Sequence, residues 1–287
     1  MTADRRLGHW TPVLLVLPGA LLFTALVVVP LGLTAWLSVL DYDSATGIKD
    51  TVTLSHYTAI LTDGYYLEIF WRTLRIAALT TLICAAIGVP EAYVLARMHD
   101  PWRSIFLVVI IGPLLVSVVV RAFGWSMLLG STGLVNQALH AFGLGTVRLL
   151  YTETAIVVAL VHVMLPFMVI PVWTSLQKLD PAIEAAAWTL GASRLTTIRR
   201  VVFPEIMTGL LSGSLVVFGL AASSFAIPGL IGGRRLKMAA TVVYDEYMHE
   251  LNWPVGAAIA IVVLLANMLI MLGYNRLVEA RTRKTLG

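Results

Sequence analysis

The chain has 287 residues, of which 59% are hydrophobic and 13% charged, and its formal net charge is +4, with a mean hydropathy of +0.87. Soluble domains carry roughly 25% charged residues, so this composition excludes a water-facing globule, and a small charge scattered among apolar runs excludes a nucleic-acid partner. The lone Cys84 leaves no partner for an internal disulfide and no cysteine set for a metal.

At the start of the chain Arg5 and Arg6 precede an apolar run from Pro12 to Leu40. That run exceeds the about 7–15 residues of a secretory signal core and ends in no small-residue cleavage site. It predicts a first spanning helix that is retained. A helix needs about 20 apolar residues to cross the bilayer core, and backbone polar groups in lipid must bond internally. On these grounds the sequence predicts an all-α, multi-pass membrane protein with six spans: Val13–Leu37, Phe70–Leu95, Ile105–Leu129, Thr154–Leu176, Met207–Ile227 and Val255–Leu277.

With both termini in the cytoplasm, twelve lysines and arginines fall inside and eight outside, which favours that orientation. Arg234, Arg235 and Lys237 count against it, although Asp245, Glu246 and Glu250 follow in the same loop. Trp10, Trp36, Trp71, Trp102, Trp125 and Trp253 fall near span ends, where an interfacial belt places them. The outer loops then run over 41–69, 130–153 and 228–254, and the inner ones over 97–104 and 177–206. In the short inner loop Asp100 is expected to cap, and Pro101 to start, the next helix.

The longer inner loop has the most legible local chemistry. Asp180 followed by Pro181 is a helix start, a side-chain cap and then a residue that needs no amide donor. Glu184 stands near that positive helix end. Ala185, Ala186 and Ala187 favour helix and present a thin surface. Gly191 permits a sharp turn, followed by Ala192, and Ser193 is placed to cap a second short helix. There Leu195, Ile198 and Val202 would share a face, with Arg194, Arg199 and Arg200 over much of the rest. Pro204 is expected to break this helix before the fifth span. Physics alone leaves two readings open: a solvated helical loop, or a small-faced elbow that docks a partner.

These residues resemble the EAA loop of binding-protein-dependent ABC importer permeases. Gly191 and Pro204 stand at the family spacing, with Val201 and Phe203 in its Ile and Leu slots. Glu184 stands one residue ahead of the glutamate slot, which Ala185 fills. The likeness covers nearly the whole chain. Val120–Trp125, Gly133–Gln137, Phe225–Gly233 and Tyr244–Tyr247 resemble the spermidine/putrescine branch, and Leu17–Ala20 with Pro30 resembles the first of its two permeases.

The resemblance implies a type I ABC importer transmembrane domain in a bacterial inner membrane. It implies an ATP-binding subunit dimer gripping Glu184, Ala185, Ala186, Gly191, Ala192, Arg194 and Pro204. It also implies a second, distinct permease and a periplasmic substrate-binding protein. No G-x-x-x-x-G-K-[ST] run is present, so no cofactor is expected in this chain, and ATP and Mg are expected on the ATPase. On this reading the chain divides into an N-terminal helix and first periplasmic loop (1–67), the transmembrane domain (68–278) with its coupling loop (178–206), and a basic cytoplasmic tail (279–287).

Ionisable residues within spans are functional suspects by default. Glu91, next to Pro90, either pairs with Arg97 or lines the solute pathway. Arg72 and Arg75 are expected to reach headgroups, and His162 to be packed and hydrogen-bonded. Ser223, Ser224 and Phe225, ahead of Pro228, mark either close helix packing or a solute-lining hinge. Asn267 is expected to bond across helices. Asp245 and Glu246 could draw a cationic solute. No paired carboxylates, His/Cys cluster or Ser–His–Asp pattern argues for catalysis or a metal. The competing class is an ion-coupled secondary transporter, whose expected signs are internal repeats and midplane acids; neither is evident.

Overall fold

The computed structural model describes residues 7–43, 46–233 and 235–286, so Arg5, Arg6 and Arg234 lie outside the described residues. In chain order the helices begin with α1 (Leu7–Phe23) and α2 (Val29–Leu37), joined by a π turn at Thr24–Val28. A hairpin of β1 (Leu40–Asp43) and β2 (Gly47–Val52) follows, then α3 (Ser55–Thr62), α4 (Gly64–Arg97), α5 (Trp102–Ile111), α6 (Val118–Leu129) and α7 (Leu134–Ala141). Beyond these lie α8 (Glu153–Leu176), α9 (Pro181–Thr189), α10 (Arg194–Thr197), α11 (Phe203–Ala222), α12 (Ala239–Met248) and α13 (Trp253–Leu286). Among the described residues six helical stretches are long and apolar enough to cross a membrane, the first being Val13–Leu37.

The chain forms two compact units. One comprises 1–63 with 243–264. Its hairpin pairs antiparallel, Tyr42 with Ile48 and Asp43 with Gly47, and Lys49 Nζ reaches Asp43 at 2.8 Å. Helix α3 is fastened to the preceding chain by His56 Nε2 on the Leu40 carbonyl at 3.0 Å and by Ser38 Oγ with the Tyr57 hydroxyl at 2.6 Å. None of the first span is buried. This is the pattern of a helix whose solvent is lipid, since hydrocarbon imposes no penalty on bare Leu and Val.

The other unit, 64–242 with 265–287, holds the main core. Helices α4, α8 and α11 pack together there through Ile76, Cys84 and Leu95, through Leu160, Met168 and Val172, and through Ile206 and Val217. Close approach depends on small residues. A Cβ at Gly88 would sit 2.9 Å from Met168 Cγ, and one at Gly213 3.0 Å from Met168 Sδ. Met168 thus occupies hollows left by glycines on two neighbouring helices. Cys84 is fully buried and donates weakly to the Val161 carbonyl at 3.7 Å, a packing role. Pro90, Pro166 and Pro171 lie within continuous helices.

Several expectations change. The third span does not run unbroken from Ile105 to Leu129. It becomes 3-10 at Gly112–Leu115 and extended at Val116 before α6 begins, because Pro113 lacks an amide donor and its ring crowds the preceding turn. The fifth span does not reach Ile227. Helix α11 ends at Ala222, where Ser223 Oγ turns back onto the Gly219 carbonyl at 2.9 Å. Pro204 does not break its helix. A π turn at Ile198–Val202, with the Phe203 amide on the Ile198 carbonyl, precedes it, and that wider turn accommodates a residue with no amide donor.

The same wide turn rotates the faces, so Val202 is buried while Leu195 and Ile198 are exposed rather than sharing one face with it. Asp100 caps no amide. It takes the Ser104 hydroxyl at 3.1 Å and the Arg103 guanidinium at 2.7 Å. The segments 41–69, 130–153 and 228–254 hold the hairpin, α3, α7 and α12.

Candidate functional site

The elbow between α8 and α11 is built as its sequence dictates. Asp180 adopts extended backbone and its carboxylate accepts from the Ala182 amide at 2.9 Å, so α9 starts at Pro181. Helix α9 closes with the Leu190 amide on the Ala186 carbonyl at 3.1 Å and the Ala192 amide on the Ala187 carbonyl at 3.0 Å. Gly191 turns the chain at φ +84° with nothing near a hypothetical Cβ. That left-handed conformation is the one glycine adopts without strain. Ser193 Oγ then accepts from the Thr196 amide at 3.3 Å and starts α10.

The elbow presents an apolar tip within a basic surround. Leu190 is 89% exposed and Leu195 69%, with Ile183 and Trp188 also exposed. Ala185 and Ala186 lie open beside them, as do Arg194, Arg199, Arg200 and Pro204, while Ala192 is half-buried. Leu195, Thr196, Arg199 and Arg200 line a cleft of about 430 Å³. Exposed apolar side chains and exposed arginines thus share this one short segment.

Glu184 is different: its side chain is 3% exposed. It pairs with Arg97 at the C-terminal end of α4, and the Tyr93 hydroxyl donates to its other oxygen at 3.3 Å. The Arg97 guanidinium also lies over the Tyr93 ring, 4.7 Å from its centroid. Arg97 is therefore committed to Glu184 and not to Glu91. Glu91 is partly buried within α4 and forms no hydrogen bond or ion pair among the described residues.

At the other end of α4, Arg72 does not reach for headgroups. Its side chain is 12% exposed and donates to the Lys237 carbonyl at 3.2 Å. It also pairs with Glu68 and, at 3.4 Å, with Glu153. Arg75 binds the same Glu153 at 2.5 Å, and the Thr73 hydroxyl accepts from the Ala239 amide at 2.9 Å. Sequence reasoning missed this cluster. Its one available signal was that Glu153 heads α8 while two arginines occupy neighbouring turns of α4.

The remaining suspects are dispersed. Ser223, Ser224 and Phe225 form the non-helical break after α11, with Ser223 satisfied by its own helix and Phe225 exposed. Asp245 and Glu246 belong to the other unit, where His249 Nδ1 lies 3.2 Å from Asp245. Burial pushes the neighbouring Tyr247 phenol above its usual pKa. Trp125 Nε1 donates to His162 Nδ1 at 3.2 Å, so His162 is hydrogen-bonded as expected. Asn267 departs from expectation: its side-chain oxygen is buried and finds no donor among the described residues.

Comparison with known proteins agrees with this architecture. Residues 88–284 match the family described as binding-protein-dependent transport system inner membrane component. The spermidine/putrescine transport system permease protein PotB of Haemophilus influenzae is 30% identical, over 90% of this chain and 91% of its own. The protein of the same name from Escherichia coli K12 is 33% identical, over 83% and 87%. In fold, the chain resembles a crystal structure of a bacterial ABC transporter involved in the import of the acidic polysaccharide alginate, with a TM-score of 0.78, 18% identity and 96% of each chain covered. The chain is a multi-pass inner-membrane protein and belongs to the binding-protein-dependent transport system inner membrane components, the permease subunits of ABC importers.

Proposed function

We propose that this chain forms half of the translocation pathway for a small, polyamine-like solute, and that a separate ATP-binding subunit dimer drives it through the 178–206 elbow. The observation that carries the reading is the apolar tip at Leu190 and Leu195, held out by a glycine turn and rimmed by arginines. A solvated loop gains nothing from exposing leucine, whereas a cleft on a partner does. ATP and Mg belong to that partner, since the chain lacks a phosphate-cradling G-x-x-x-x-G-K-[ST] loop.

Both termini lie in the cytoplasm on this reading, supported by the bias of lysine and arginine. The transmembrane domain proper is 68–278, preceded by the N-terminal helix and loop (1–67) and followed by the basic tail (279–287). A second, distinct permease completes the pathway, and a periplasmic binding protein delivers the solute. The PotB names of the two relatives above support a polyamine-like solute. Glu91 within α4 and the Ser223–Ser224–Phe225 break that follows α11 are the proposed pathway residues, and Asp245 and Glu246 the outer acids that attract a cation.

The test is uptake of labelled spermidine by vesicles carrying the complete complex. Uptake should require ATP inside, the binding protein outside, and an intact catalytic site on the ATP-binding subunit. Uptake that follows an ion gradient and ignores ATP would assign the chain to secondary transport instead.

A further inference from the structure

Helices α4, α8 and α11 make the packed heart of the larger unit, and two of them are joined to the elbow by the chain itself. Helix α8 runs into α9 through the turn at 177–180, and α10 passes through the π turn into α11. Helix α4 has no such covalent connection. Its polar tie is the Glu184 carboxylate, which meets Arg97 and Tyr93 one helical turn apart on α4. Tyr93 fixes both partners at once, its hydroxyl on Glu184 and its ring under Arg97.

A residue that contacts a partner has to be reachable, and Glu184 is 3% exposed while Leu190 on the same elbow is 89% exposed. A buried carboxylate without its cation is strongly disfavoured, so elbow and helix end move together or not at all. We propose that Glu184, Arg97 and Tyr93 form an internal latch that transmits displacement of the elbow to α4, with Glu184 serving as a positioning residue and not as a contact to the ATPase. The proposal rests on the coupling role given to the elbow above.

The two roles predict opposite signs in a double substitution. In the reconstituted complex, solute taken up per ATP hydrolysed is measured together with the ATP-binding subunits retained on purification. Arg97→Gln strands a buried carboxylate and should lower that ratio about tenfold while the ATP-binding subunits stay bound. Adding Glu184→Gln removes the stranded charge and should restore the ratio to within about threefold of the parent.

If Glu184 contacted the ATPase, the second change would deepen the loss, and Glu184→Gln alone would shed the ATP-binding subunits; either result overturns the latch. Where Arg97→Gln does not accumulate in the membrane, Tyr93→Phe removes a single hydroxyl and should lower the ratio about twofold. An unchanged ratio in that variant also overturns the latch. Parent complex whose uptake needs no ATP would sink the coupling role itself. ATP-driven uptake with the ratio unaltered by every variant would sink only the latch.

Discussion

The two ends of α4 are both tied by charge, yet they are built differently. At Arg72 the ties are many and partly open to solvent. Two arginines, two glutamates, a threonine and two backbone carbonyls share them. At Arg97 a single carboxylate, almost wholly buried, meets one arginine and one phenol. A shared network loses one bond at a time, whereas an isolated buried pair is intact or broken. The Arg72 end therefore suits a brace, and the Arg97 end suits a joint that must follow the elbow.

That contrast can be broken from either side. The largest effect is expected at the elbow itself. Gly191→Val forces a β-branched residue into left-handed backbone, and solute uptake per ATP should fall about tenfold. Gly191→Asn, which tolerates that backbone, should retain most of it. Because nothing crowds a Cβ at this position, the difference between the two variants isolates backbone geometry from bulk.

At the brace, Arg72→Gln removes two bonds to carbonyls and two ion pairs. Stability of the purified protein should fall by about 1–3 kcal/mol, read as a lower melting temperature, with the uptake-to-ATP ratio unchanged. A ratio that fell with stability intact would erase the contrast between brace and joint. The smallest effect is expected at Lys49→Gln in the hairpin, where the ion pair is exposed and screened by solvent; melting temperature and transport should both be unaltered.

Legibility in the sequence followed the range of the interactions. The Asp180 cap, the Pro181 start, the Gly191 turn and the Ser193 cap each depend on neighbours within a few residues, and all four are present. The Glu184–Arg97 pair joins residues 87 positions apart, and the Arg72 bond to the Lys237 carbonyl spans 165; no local pattern records either. Sequence reading allowed Arg97 a carboxylate on its own helix, Glu91, because that acid lies nearby in the chain. The fold gave it one on the elbow.

Hydropathy explains the other misses. It follows the solvent of a segment and is blind to backbone continuity, so Ile105–Leu129 read as one span although Pro113 and the β-branched Val116 were in view. The hairpin was legible in principle. Asp43 pairs with Gly47 between short alternating runs, but an all-helical expectation left no place for strands.

The central claim is that a separate motor grips this elbow. A photoreactive residue placed at Leu190, which is 89% exposed, tests it in the assembled complex with and without nucleotide. The account predicts a crosslink to the ATP-binding subunit whose yield changes when nucleotide binds. A Leu190 site that crosslinks to no nucleotide-hydrolysing protein in any state, while the complex transports normally, would contradict it.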